Sequence, residues 1–434
     1  MKRRWLSVIL SASMVVGTLT AGTTMVHAEE GDPDRTFKIL SMWPEDDNDS
    51  GSVIKQVTEQ YIAEENPDFK YEIEVVSSDN LKQKVATLAA SNDLPDVFAY
   101  DAGTPLIDLM DAGLVLDVGA KLDELGISDR IDPSAKDFLT GLTGTESLYD
   151  LPLGQNIEGF WYNKALFEQA GITEPPTTWD EMLEDADKLL EAGIQPFAVG
   201  ASEQWPATRI LNAYVIRKLG TDAMDKAYAG EIKYTDEAIV EAAAMLQDMT
   251  EKGYFGEGAT TVDQNTAAEM VMAGEAAMIY NGSWYVSQLQ ADTNPAGEDG
   301  IGFFNIPTVE GGVGTATEYC MNCGTILALS ADKYDSVTEG WLKYFVENAG
   351  PWAIENQGTL RGYTIDEYPE DLGSYSQLVL EEIEKATGSA TWWEAAMDSK
   401  LSQIAQENVQ SLMNGDMTPE EYAQSLQDVW DAAQ

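Results

Sequence analysis

The sequence predicts an α/β fold built on a mainly parallel sheet. Two observations carry this. From residue 37 onward short apolar strand-like runs alternate with amphipathic helical stretches, and in the first hundred residues that alternation reads β-α-β-α-β, a pattern that lays parallel strands side by side with helices on both faces. No low-complexity linker and no internal repeat interrupts it, so the units are expected to pack as one body, with the chain crossing between them more than once.

In order, residues 37–43 form an apolar run, and residues 52–65 carry Val53, Val57 and Tyr61 four apart on one helical face. Residues 71–76 alternate again as a strand. Residues 81–90 place Leu81, Val85 and Leu88 on one face, and after Pro95-Asp96 residues 97–100 form a short apolar strand. In such sheets ligands bind beyond the carboxyl ends of the strands. The first strand runs out into Pro44-Glu45-Asp46-Asp47-Asn48-Asp49-Ser50-Gly51, and the third into Tyr100-Asp101-Ala102-Gly103. The first of these loops opens like a calcium loop, but its twelfth position is Val57 where a bidentate Glu is needed. It is read as a cap or a ligand-binding loop.

A second unit begins near residues 148–152. Its clearest helix starts at Thr178, which forms a capping box with Glu181, shows an apolar face of Met182, Leu183, Ala186, Leu189 and Leu190, and stops at Gly193. Further helices are expected at about residues 207–218, 235–252 and 266–273, then a strand at 277–280. Residues 324–329 read as a strand leading back to the first unit.

The chain opens with Lys2-Arg3-Arg4, an apolar run to Met25, and the small-x-small site Val26-His27-Ala28. This is the pattern of a secretory signal peptide over residues 1–28. No Cys follows the run, so no lipid anchor is expected. Cleavage leaves 406 of the 434 residues and shifts the formal charge from −50 to −53 by removing Lys2, Arg3 and Arg4. A field of that sign repels nucleic acid and anionic membranes.

The reactive residues exclude whole classes of chemistry. His27 is the only histidine and leaves with the signal, so the exported chain has no Ser-His-Asp or Cys-His relay and no imidazole metal site. The two cysteines, Cys320 and Cys323, stand in Cys-Met-Asn-Cys. In an exported chain that spacing reads as a local disulfide or as two small buried residues. No cofactor and no catalytic group is expected.

Eleven tryptophans is a heavy content for so acidic a chain, and several sit at loop signals: Trp43, Trp205, Trp284 and the pair Trp392-Trp393. Sugars offer flat C–H faces and rings of hydroxyls, which aromatic platforms and polar forks recognise together. Asn281-Gly282-Ser283 matches a glycosylation acceptor, as does Asn48-Asp49-Ser50. The Asn281-Gly282 pair is better read as a turn after a strand that brings Trp284 into a cleft.

Ordered stretches then resemble a known family: DLPDVFAYDAG (93–103), AGLVLDV (112–118), YDLPLGQNIEGFWYNKALFEQAGITEPPTTWDEML (149–183), MAGEAAMIYNGSW (272–284), FFNIPT (303–308), GTLRG (358–362) and MTPEEYAQSLQD (417–428). They resemble, in order and across nearly the whole exported chain, the carbohydrate-type solute-binding proteins of ABC importers, the group that includes maltose-binding protein. The resemblance implies a two-lobed, hinged periplasmic-binding-protein fold. Residues 29–148 plus 327–366 would form the first lobe, and 149–326 plus 367–434 the second. It also implies a monomer that holds a sugar, expected to be an oligosaccharide, in the cleft and hands it unchanged to a membrane permease. Carried over position by position, the pocket elements are Trp43, Glu45, Asp46, Asp101, Gln155, Asn156, Trp284, Arg361, Trp392, Trp393 and Glu394. Trp205 and Tyr319 are added from their placement. The missing lipobox departs from Gram-positive members of the family and leaves the mode of retention at the cell surface open. A polyamine cargo on the same fold, favoured by the acidity, and a secreted glycoside-active enzyme with a carboxylate pair are the competing readings.

Overall fold

The computed structural model describes residues 28–45 and 49–434. The signal-peptide pattern and Asp46, Asp47 and Asn48 lie outside them. Among the described residues ten strands form two sheets: β1 (Thr36–Ser41), β2 (Lys70–Val75), β3 (Val97–Tyr100), β4 (Asn156–Asn163), β5 (Gln195–Ala198), β6 (Ala276–Gly282), β7 (Ile301–Phe304), β8 (Glu318–Asn322), β9 (Ile326–Leu329) and β10 (Gly388–Ala390).

The first sheet has the order β2-β1-β3-β9, with β1 parallel to β2 and β3, and β9 antiparallel to β3. The predicted β-α-β-α-β start is therefore present, with helices Ser50–Glu64 and Ser78–Ala90 between the strands. The second sheet has the order β10-β8-β4-β6-β5, with β7 also pairing β4. Here β5 and β6 are parallel, while β4 is antiparallel to β6, β7 and β8.

Local chemistry explains the best-read elements. Helix Trp179–Glu191 begins with the capping box in which Thr178 and Glu181 satisfy each other's backbone donors, and the closing helix Pro419–Ala433 repeats the device with Thr418 and Glu421. Helices Trp205–Leu219, Glu237–Glu251 and Gln264–Met272 fall where apolar spacing put them. Helix Ser336–Asn356 covers the first sheet: Trp341 packs 5.1 Å from Phe37 and donates its indole N–H to Thr58 at 2.9 Å.

Strand alternation divides the faces of the second sheet. In β4, Ile157 and Trp161 join one apolar cluster with Ile279, Tyr285 and Tyr319, while Phe160 turns to the larger core. The chain passes from first sheet to second before β4, back at residues 323–325, and out again after Asn356. At these passages Leu151 bridges Leu327, and Gln155 N–H donates to Leu360 at 3.1 Å. Among the described residues no helix is long and apolar enough to cross a membrane.

Candidate functional site

Helix Trp205–Leu219 opens on an indole and, one turn later, carries Arg209. Residues four apart share a helix face, so the guanidinium lies over the Trp205 ring, 5.6 Å from its centroid. It also lies 5.5 Å from the ring of Trp392, which follows β10. Two carboxylates close around the same cation: Glu158 from β4 accepts from Arg209 Nη1, and Glu394 accepts from its Nε at 3.1 Å. Burial works against the charge of Arg209, but Glu158 and Glu394 outweigh it and hold the pKa above its ordinary value.

The carboxylates are themselves held. Asn322 Nδ2 donates to Glu158 Oε1 at 2.6 Å, and Thr208 Oγ1 donates to Glu394 Oε1 at 2.5 Å. Glu158 Oε2 is buried and receives no donor among the described residues. Trp205 meets Trp284 edge to face, with centroids 6.2 Å apart at 64°, and its indole N–H donates to Glu203 at 3.0 Å. Trp392 stacks on Phe138, 5.9 Å away at 24°. The group is thus an aromatic surface with a neutralised cation at its centre.

The carboxyl end of β3 faces it. Lys82 and Asp101 pair at 2.8 Å. Burial lowers the Lys82 pKa, but Asp101 and, more weakly, Glu394 overcome it and leave it raised. Lys82 therefore feels a carboxylate that belongs to the Arg209 group. Contact between the two sides is close at Gly103, which sits at φ +78; a Cβ there would come within 2.9 Å of the Ala395 carbonyl oxygen.

The expected residues separate into two sets. Trp205, Trp284, Trp392 and Glu394 come together around Arg209, and Asp101 pairs with Lys82, which the field of Glu394 reaches. Half-buried Trp43 exchanges backbone hydrogen bonds with Ser41 Oγ at 3.0 Å, and Glu45 pairs with Lys55 at 3.6 Å. Among the described residues no hydrogen bond, ion pair or ring pair joins either to the Arg209 group. Arg361 is placed elsewhere: it is 3% exposed, its Nη1 donates to Asp49 at 2.8 Å, Ser50 at 2.9 Å and the Leu153 carbonyl at 2.8 Å, its Nη2 to Gln357 at 2.7 Å, and its Nε is buried without a partner among the described residues. It ties the loop after β1 to the passages between sheets. Gln155 and Asn156 belong to the same passages, the first bound to Asp132 at 3.1 Å and Ser134 at 2.7 Å, the second buried against Asn322 and Ser283 at 3.2 Å each.

Tyr319 and Trp393 are placed away from the group, and the cysteines take one of their two expected forms. Tyr319 lies one residue before Cys320, which pairs across from Glu158, so alternation turns it to the opposite face; it is buried and donates to Glu382 at 2.6 Å. Trp393 is fully buried core. Cys320 and Cys323 are both buried free thiols. Cys320 lies in β8 and Cys323 just beyond its end.

Asn281 and Gly282 are strand, not turn. They pair with Gly159 and Glu158 in the ladder, and Asn281 is 3% exposed. The turn starts at Ser283, and the Trp284 ring lies over Gly282, where any Cβ would overlap it. Buried Asn281 offers nothing to a glycosylating enzyme.

Arg209, Glu158, Asn322, Glu203, Lys82 and Phe138 were missed. Two carried a signal. Glu158 interrupts an otherwise apolar strand, and Arg209 stands one helical turn after a tryptophan at a loop. Surface pockets of about 300 Å³ beside Trp430 and about 390 Å³ beside Phe167 share no residue with this group.

Two α/β units, crossed by several chain passages and meeting at this group, define a two-lobed solute-binding fold. The chain belongs to the bacterial extracellular solute-binding protein family, which it matches over residues 46–351. It is 28% identical over 208 residues to an uncharacterized ABC transporter extracellular-binding protein of Pyrococcus horikoshii, a match covering 47% of this chain and 46% of that one. The chain thus spans about half the length of that relative. It is 23% identical over 309 residues to the multiple sugar-binding protein of Streptococcus mutans, covering 67% and 70% of the two chains. Among solved structures it is similar to a chitin oligosaccharide binding protein, with a TM-score of 0.83 at 22% identity over 93% of this chain and 99% of the other.

Proposed function

We propose that this chain is the exported receptor of an ABC importer and that it holds a neutral oligosaccharide between its lobes. The supporting observation is the Arg209 group: half-buried Trp205 and Trp284 beside a cation already neutralised by Glu158 and Glu394. Aromatic faces take the C–H side of a sugar ring, and the carboxylates accept from hydroxyls. The similarity to sugar-binding proteins supports the same reading.

The charge balance argues against an anionic cargo. The cations Lys82 and Arg209 are paired with Asp101, Glu158 and Glu394, and Glu203 adds a fourth carboxylate. A carboxylate on the ligand would meet repulsion and find no unpaired cation among these residues. Residues 29–148 plus 327–366 form one lobe and 149–326 plus 367–434 the other, following an export signal at 1–28. Ligand favours the closed state by touching both sides, here Lys82–Asp101 and the Arg209 group, which are in reach of one another only when the lobes approach. The closed monomer then docks on the permease, and the sugar leaves unchanged. A thermal-shift panel of neutral oligosaccharides against polyamines tests this: a rise with at least one oligosaccharide is expected. A rise with polyamines alone would replace the sugar with a cation.

A further inference from the structure

Among the described residues only Asn92 and Gln204 are non-glycine residues at positive φ. Asn92 follows a helix end, where asparagine tolerates the left-handed region. Gln204 is different: φ +68 and ψ −51 place it in the strained γ-turn region, away from the left-handed helical well. Such strain persists only where the surroundings over-determine it.

The surroundings here end in Trp205. Gln204 N–H donates to the Ala201 carbonyl at 3.2 Å, and its own carbonyl accepts from Ala207 at 3.1 Å and Thr208 at 3.3 Å. One residue therefore closes a short 3₁₀ turn and opens the helix that carries Arg209. The reversal sets the Trp205 indole N–H 3.0 Å from Glu203 Oε2, while Glu203 Oε1 accepts from Gln264 N–H at 2.9 Å. Ordinary negative φ at position 204 would turn Trp205 away from the residue just before it and break that hydrogen bond.

We propose that the strained backbone of Gln204 is a positioning device that fixes the plane of Trp205 and, through it, the edge-to-face angle between Trp205 and Trp284. The assignment rests on Trp205 being a ligand platform, but the geometry can be read without ligand. Two indoles at this separation and angle give an exciton couplet in far-ultraviolet circular dichroism, isolated by subtracting the spectrum of the same protein carrying Trp284→Phe. Gln204→Gly accepts positive φ at any ψ and is expected to keep the couplet. Gln204→Val, β-branched and adverse to positive φ, is expected to lose at least half of it. In titrations with chitotetraose the Val variant is expected to weaken binding at least about tenfold, while Gly stays within about twofold of wild type. Should Val fail to fold, Gln204→Thr, β-branched as well, is expected to show the same loss. An unchanged couplet in Val and Thr overturns the proposal, and so does its loss in Gly, which would assign the effect to the glutamine side chain. A wild type that shows the couplet yet binds no saccharide contradicts the sugar reading and leaves the positioning role intact.

Discussion

Arg209 Nε lies 3.1 Å from Glu394 Oε2, and this contact joins the first turn of one helix to the segment that follows the short strand β10. Glu158 takes the other side of the same guanidinium. The cation is therefore a fastener for two chain segments before it is anything for a ligand.

Removing it should be costly. Arg209→Met is expected to lose about 3–5 kcal/mol of stability, because Glu158 and Glu394 would be left buried and uncompensated. Urea unfolding at neutral pH measures it. A loss below about 1 kcal/mol would mean that water reaches both carboxylates freely.

Tryptophans of the core and of the candidate site should behave differently. Trp393→Ala, in the core, is expected to lose about 3–5 kcal/mol. Trp284→Ala, at the half-buried edge, is expected to fold with a nearly unchanged urea midpoint and to bind saccharide at least about tenfold more weakly. Equal stability losses in the two variants would remove the distinction between core and site.

Asp150 supplies a pH signature. Its carboxyl is buried with one oxygen lacking a donor, and burial raises its pKa to about 7. The folded state therefore holds this proton more tightly than the unfolded chain. The stabilising contribution is complete below the ordinary carboxylate range and is lost as pH rises through about 7. Asp150→Asn should gain stability over wild type at pH 8, by at most about 4 kcal/mol, and gain nothing at pH about 4. A variant weaker than wild type at pH 8 would show that the ionised carboxylate has a partner.

The thiols should be silent. Cys320 and Cys323 are buried, and burial pushes both pKa values up. Both should resist alkylation in the native protein and react after denaturation, with the same urea midpoint with and without reductant. A midpoint lowered by reductant would establish a disulfide.

Much of the fold was legible because local rules agree with the final packing. The β1–β3 region and the capping-box helix combine clear periodicity with end signals, and they appear within a few residues of expectation. The three-residue strand β10 carries no such pattern; its pairing with β8 is decided by the tertiary fold. The site was half legible. Trp205, Trp284 and Glu394 announce themselves as large or charged groups at loop signals. Arg361 and Tyr319 do so equally well and lie elsewhere, since residue type does not reveal that Asp49, Ser50, Leu153 and Gln357 hold both terminal nitrogens of Arg361 in a buried position. Nor does it show which strand face Tyr319 occupies. Arg209 and Glu158 each carry a weak local signal, but their pairing across 51 residues leaves no local trace.

The central claim is that the cleft holds a neutral saccharide on its aromatic edge and rejects a charged one. Calorimetric titration of the exported chain with chitotetraose or xylotetraose, beside tetragalacturonic acid, tests it most directly. The account predicts micromolar binding, about −8 kcal/mol, for at least one neutral tetrasaccharide and no measurable heat for the acid. Binding of the acid as tight as any neutral sugar, or of neither, would contradict it.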